Sequence, residues 1–187
     1  MGFVVPIHGS WLSSHYSRGL DHICFVLGLF FLSRNVTPLF WQITAFTLAH
    51  SLTFGLALYG FVELPSRAVE VVVALSISFV AIENLFSTKL SRWRPWVVFA
   101  FGLMHGLAFA HTFREHAMSE ANGLTALFSF NLGVELGQLA VVGIALTLFS
   151  AFWQRIWYRA RIAMPASIAI ALMGLYWATE RIFATAP

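Results

Sequence analysis

Six apolar runs, each about as long as a bilayer is thick, leave this chain few ways to fold. A helix rises ~1.5 Å per residue, so about 20 apolar residues cross the ~30 Å hydrocarbon core. The runs fall near 17–33, 38–60, 66–87, 95–113, 122–150 and 164–184. Pro38, Pro65, Pro95 and Pro165 sit at or beside the starts, where a missing N–H costs nothing. Composition agrees: of 187 residues 59% are hydrophobic and 10% charged, and mean hydropathy is +0.78. A soluble domain carries about 25% charged residues. A soluble enzyme and a disordered tail are therefore excluded, and the lone Cys24 excludes a disulfide scaffold. The expected fold is all-α, a polytopic transmembrane helix bundle of six spans. It forms a single transmembrane domain over 17–187, after an interfacial segment over 1–16 anchored by Trp11 and Tyr16.

Charge sets the expected orientation. The connections after helices 1, 3 and 5 carry Arg34; Lys89, Arg92 and Arg94; and Arg155, Arg159 and Arg161. The other side carries Arg18, Arg67, Arg114 and Arg181. The positive-inside bias places both termini outside. The first sixteen residues hold no Lys or Arg and do not read as a secretory signal. Trp41, Tyr59, Trp93, Trp96, Trp153, Trp157, Tyr158 and Trp177 extend the expected interfacial aromatic belt. The net charge is only +3 and the basic residues are scattered, so no nucleic-acid partner is expected. The expected partner is the bilayer, and a homo-oligomer is compatible. Six helices also divide into two sets of three, an arrangement that accommodates an inverted repeat, with residues 46–49 and 130–133 the best-matching segments.

Ionisable groups inside spans cost about 2.5–3.5 kcal/mol each on insertion scales, so each needs a reason. Helix 1 carries Asp21 and His22, helix 2 His50, helix 3 Glu70, Glu83 and Asn84, helix 4 His105, and helix 5 Asn131, Glu135 and Gln138. His50, His105 and Glu135 are expected near mid-membrane, Asp21, His22 and Glu70 toward the outside, and Glu83 and Asn84 toward the inside. That layout describes a site open to the outside with an inward step. Plainer roles stand beside it. A histidine can be an interhelical strut, Asn131 and Gln138 interhelical glue, and Gly102/Gly106 and Gly133/Gly137 close-packing faces. Glu83 can snorkel to headgroups, while His8, His111 and His116 are expected to be solvated.

Imidazole with carboxylate suits Ni, Zn, Co, Cu or Fe. His15 and His22 are two turns apart and share a face if helix 1 begins early. Asp21 serves as a ligand or orients a histidine. The candidate metal residues are His15, Asp21, His22, His50, His105 and Glu135, with Glu70, Glu83, Asn84, Asn131 and Gln138 as further or pathway residues. Binding needs neutral imidazoles, so affinity should fall as pH drops through the histidine range.

His15, five residues, then Asp21-His22 resembles the H-x(5)-D-H motif of the HupE/UreJ family of membrane metal permeases. "GLDHICFVLGLF", "FTLAHSLTFGLALYG", "VEVVVALSISFVAIENL", "FGLMHGLAFA" and "FNLGVELGQLAVV" are similar to its second branch. The resemblance implies a small bacterial inner-membrane protein and, in the founding branch, nickel uptake. Of that branch's F-H-G-x-A-H-G-x-E motif only Gly102, His105 and Gly106 remain; Phe101 and Ala108 replace its first histidine and its glutamate. Glu135 or Glu70 would have to compensate, and another transition metal fits as well as nickel. The function expected is transport or acquisition of a divalent transition metal. The alternative is an intramembrane metal-dependent hydrolase with a zinc-type His/Asp site, and a third class is a metal-sensing subunit. The only lysine, Lys89, lies in a loop, which excludes a retinal protein.

Overall fold

The computed structural model describes residues 10–33, 35–117 and 123–183, with side chains from 19 onward except 111–117, 123, 124, 126 and 127. Six helices follow in order: α1 (Ser10–Leu32), α2 (Val36–Leu58), α3 (Ser66–Phe86), α4 (Arg94–Ala117), α5 (Gly123–Phe149) and α6 (Met164–Phe183). A 3₁₀ turn, Ser150–Phe152, extends α5, and a π-helical turn, Arg159–Ala163, leads into α6. Among the described residues there is no strand. The bundle is a polytopic transmembrane protein. α1 begins seven residues before the expected start, so residues 10–16 continue the first helix. The part of the expected interfacial segment before Ser10 lies outside the described residues, as do the side chains of Trp11 and Tyr16.

Ser66–Phe86, Phe128–Phe152 and Arg159–Phe183 are long and apolar enough to cross a membrane on composition alone. α1, α2 and α4 run 23, 23 and 24 residues. Their length suffices, the described stretches Gly19–Leu32 and Arg94–Ala110 of α1 and α4 are apolar, and these three helices carry His22, His50 and His105.

Hydrogen bonds and packing give the direction of each pair. α2 and α4 run parallel in the most extensive contact of the bundle, with α3 and α6 next and antiparallel. Two glycines allow the first. A Cβ on Gly102 would stand 2.6 Å from the Phe46 carbonyl oxygen, and one on Gly106 would collide with Thr53 and the His50 carbonyl. Thr53 Oγ1 then reaches across to donate to the Leu103 carbonyl at 2.7 Å. Gly174 plays the same part between α6 and α3, where Ser78 Oγ donates to the Ala171 carbonyl at 3.1 Å.

Gly133 and Gly137 behave otherwise. A Cβ on either would meet nothing within 4 Å, so they are not a close-packing face; α1 and α5 stand apart there. If α1–α3 and α4–α6 were related by inverted symmetry, the tight α2–α4 contact would recur between α5 and α1. It does not, so the two halves are packed unequally.

The aromatic belt is also smaller than expected. Trp41, Tyr59, Trp93, Trp96 and Trp157 are exposed, whereas Trp153, Tyr158 and Trp177 are buried. Trp153 packs on Phe30, ring centroids 5.5 Å apart, because the chain after α5 folds back under the bundle instead of leaving it.

Candidate metal site

α1, α2 and α4 each deliver one imidazole to the same place. His22 lies 5.1 Å, ring centroid to centroid, from both His50 and His105, edge-on to each. All three are buried. Phe25, Phe46 and Phe109 pack around them, with Phe46 4.9 Å from His22 and 5.1 Å from His105, and Phe109 5.4 Å from His50. Nothing in the apolar periodicity marked these phenylalanines as walls of a polar site.

The ring nitrogens are only half used. His105 Nε2 is 3.0 Å from Ser76 Oγ on α3, and His105 Nδ1 is 3.4 Å from His22 Nδ1. His22 Nε2 and both nitrogens of His50 are buried with no hydrogen-bond partner. Leaving one polar atom so costs about 1–3 kcal/mol. Three of the six nitrogens of the cluster are in that condition.

The geometry is near to a coordination sphere without forming one. Two nitrogens bound to a tetrahedral ion at ~2.0–2.1 Å lie ~3.3 Å apart, close to the 3.4 Å between His22 Nδ1 and His105 Nδ1. Yet among the described residues no three His, Cys, Asp or Glu side chains are disposed to hold a metal as they stand. Ser76, absent from the sequence-based candidates, is the partner a metal-ligating histidine commonly has on its far nitrogen. Its signal was a lone serine on the buried stripe of α3, which looked like any small residue.

The other candidates divide into three groups. Asp21 is buried and pairs with Arg181 of α6 at 2.6 Å; Arg181 also donates to the Glu70 carbonyl at 2.9 Å. Asp21, Glu70, His105 and Arg181 line one small recess at that end of the bundle. Arg67 in turn donates to the carbonyls of Arg181 and Ile182, closing the end of α6. At the opposite end Arg94 pairs with Glu83 at 2.8 Å, donates to Gln42 Oε1 at 2.9 Å and reaches Asn84 Oδ1 at 3.4 Å. Asn84 donates onward to the Gly28 carbonyl and to Ser167. Arg94, expected in a loop, is thus a buried hub in the first turn of α4.

On α5, Asn131 and Gln138 accept from Ser51 and Thr47 of α2, at 3.2 and 2.8 Å. Glu135, between them in sequence, is on the exposed face and is not brought to the histidines. His15 lies within α1, but its side chain falls outside the described residues, as do His8 and the side chains of His111 and His116.

A cavity of about 590 Å³ opens between α1 and α5, with His22 in its wall. The family described as HupE / UreJ protein matches the chain over residues 11–181. No curated protein and no solved structure matches it.

Proposed function

The chain belongs to the HupE / UreJ family, and from that premise we propose that it moves a divalent transition metal across the membrane by way of the three buried histidines. The observation that supports the reading most is the convergence of His22, His50 and His105 from three helices with three nitrogens lacking partners. Histidine nitrogen suits nickel, zinc, cobalt, copper and iron(II) alike; nickel is the first to test, on family grounds.

The two ion pairs mark the ends of the route. With the charge bias placing the Asp21 end outside, an incoming cation meets a carboxylate already neutralised by Arg181. Entry requires Arg181 to swing away, and Asp21 then hands the ion to His22 one residue along. On the other side Arg94, held by Glu83, Asn84 and Gln42, blocks the way out. The arrangement is that of an occluded carrier, closed at both ends around a central site.

Purified protein loaded with nickel, zinc or cobalt should hold a near-stoichiometric ion, and a His22→Ala/His50→Ala double variant should hold none. Equal metal content in both proteins would remove the site. Metal uptake into vesicles, without turnover of lipid esters, separates transport from the hydrolase reading.

A further inference from the structure

One serine fixes where the protons sit in the histidine cluster, because its hydroxyl has a single proton to give. Ser76 Oγ lies 2.6 Å from the Val73 carbonyl oxygen and 3.0 Å from His105 Nε2. Two oxygens 2.6 Å apart need a proton between them, and a carbonyl has none, so Ser76 donates to Val73. Toward His105 the serine oxygen is then an acceptor, and His105 Nε2 carries the ring proton. In the neutral state, which metal binding requires, the other nitrogen of the ring holds a lone pair. His105 Nδ1 is therefore bare, and it stands 3.4 Å from His22 Nδ1, which donates to it. The chain of bonds has one direction: from His22 on α1 to His105 on α4, then to Ser76 and back one turn along α3 to Val73.

That direction decides which atoms are available to an ion. His105 Nε2 is committed to Ser76, so the lone pair His105 can offer is on Nδ1. The 3.4 Å from there to His22 Nδ1 is close to the ~3.3 Å between two nitrogens on one tetrahedral ion. His50 has no such orienting bond, since neither of its nitrogens has a partner among the described residues.

We propose that the Nδ1 atoms of His22 and His105 are the primary ligands of the carried ion, and that Ser76 is the positioning residue that leaves Nδ1 of His105 bare. The ion takes the place of the hydrogen shared by the two rings. As it enters, the His22 proton leaves Nδ1 and is retaken at Nε2 of the same ring, relayed by a water of the ion's own hydration shell. Both rings stay neutral and each gives one lone pair. His22 Nε2 has no hydrogen bond to lose in the exchange. This assignment rests on the metal reading above and adds to it which atoms bind and which residue directs them.

The test is nitrogen NMR of full-length protein with isotope-labelled histidine rings in phosphatidylcholine vesicles, first metal-free and then with spin-active cadmium as the probe. His22→Gln and His105→Gln variants assign the signals. Without metal, His105 should carry its hydrogen on Nε2 and His22 on Nδ1. With cadmium, the cadmium–nitrogen splitting should appear on the Nδ1 signal of both rings. In metal-free Ser76→Ala, a near-isosteric change, the His105 proton should spread over both nitrogens, a signature that a packing role alone would not move. Splitting on either Nε2, or a metal-free His105 protonated on Nδ1, would overturn the assignment while leaving metal binding intact. A Ser76→Ala spectrum identical to the parent's would overturn the role of Ser76. No uptake of cadmium, nickel or zinc would overturn the metal reading and the ligand assignment together, an outcome separable from the others.

Discussion

At the scale of single residues, what matters is which polar atoms are answered and which are not. Ser76 holds His105 by its far nitrogen, an arrangement whose loss typically lowers metal affinity about 10–100-fold. Ser76→Ala should show that drop in a competition titration with a chelating dye while its thermal melt stays close to the parent's. An unchanged affinity would make Ser76 a helix-packing residue only. Arg181 tests the entrance. Arg181→Gln removes the cation that neutralises Asp21 and should raise the apparent on-rate for metal, read by stopped-flow quenching of a metal dye. A slower on-rate would mean that Arg181 organises the entrance and does not block it. The aspartate and the histidines were visible in the sequence because charged and imidazole groups are rare in spans. Arg181 and Arg94 were not, since each falls within the last or first turn of a helix and reads from sequence as an interfacial charge.

At the scale of helices, glycines sort the interfaces. α2 and α4 meet backbone to backbone because Gly102 and Gly106 present no side chain, and dispersion across that contact replaces the hydrophobic drive missing in lipid. Gly106→Ala drives a methyl into Thr53 and the His50 carbonyl. It should cost about 1–3 kcal/mol as overpacking, and it should also displace His50. Gly133→Ala meets only open space and should stabilise α5 by up to about 1 kcal/mol through helix propensity. Melting of the two variants in one detergent checks both signs; two shifts of the same sign would contradict the packing described. In sequence the two pairs are identical G-x-x-x-G patterns. Which of them meets a neighbour depends on the angle at which helices cross, and no local pattern encodes that angle.

At the scale of the whole molecule, an ion pair lies toward each end of the bundle, with the aromatic-walled histidine cluster between them. Breaking the buried pair at Arg94 with Arg94→Ala strands Glu83 and the amides around it. Removing one partner of such a pair costs about 3–5 kcal/mol, less here because the Glu83 side chain retains 20% exposure. The orientation has its own check. On a Cys24→Ser background, a cysteine at Leu64 should react with an impermeant thiol reagent in intact cells, and one at Ser91 should not. The reverse pattern would turn the bundle over and make Arg94 the entrance.

Fold class was written into the sequence because hydrocarbon permits so little. A backbone that cannot reach water must bond to itself, so each long apolar run had to become a helix, and the prolines and basic loops had to fall between them. The six observed helices follow those runs, with α1 extended at its start and the others within a few residues. The same argument singles out His22, His50 and His105 as groups that need a reason to be buried. Sequence carries no information about which of those groups meet. Glu135 was as good a candidate as His50 by depth and chemistry, yet α5 turns it outward while α2 turns His50 in. Asn131 and Gln138 lie on the same stripe and bond to α2 instead. Those outcomes depend on rotation about each helix axis and on the spacing between α1 and α5, which many weak contacts set together. The histidine cluster, the two arginine ion pairs on either side of it and the sideways cavity are therefore properties of the tertiary structure alone.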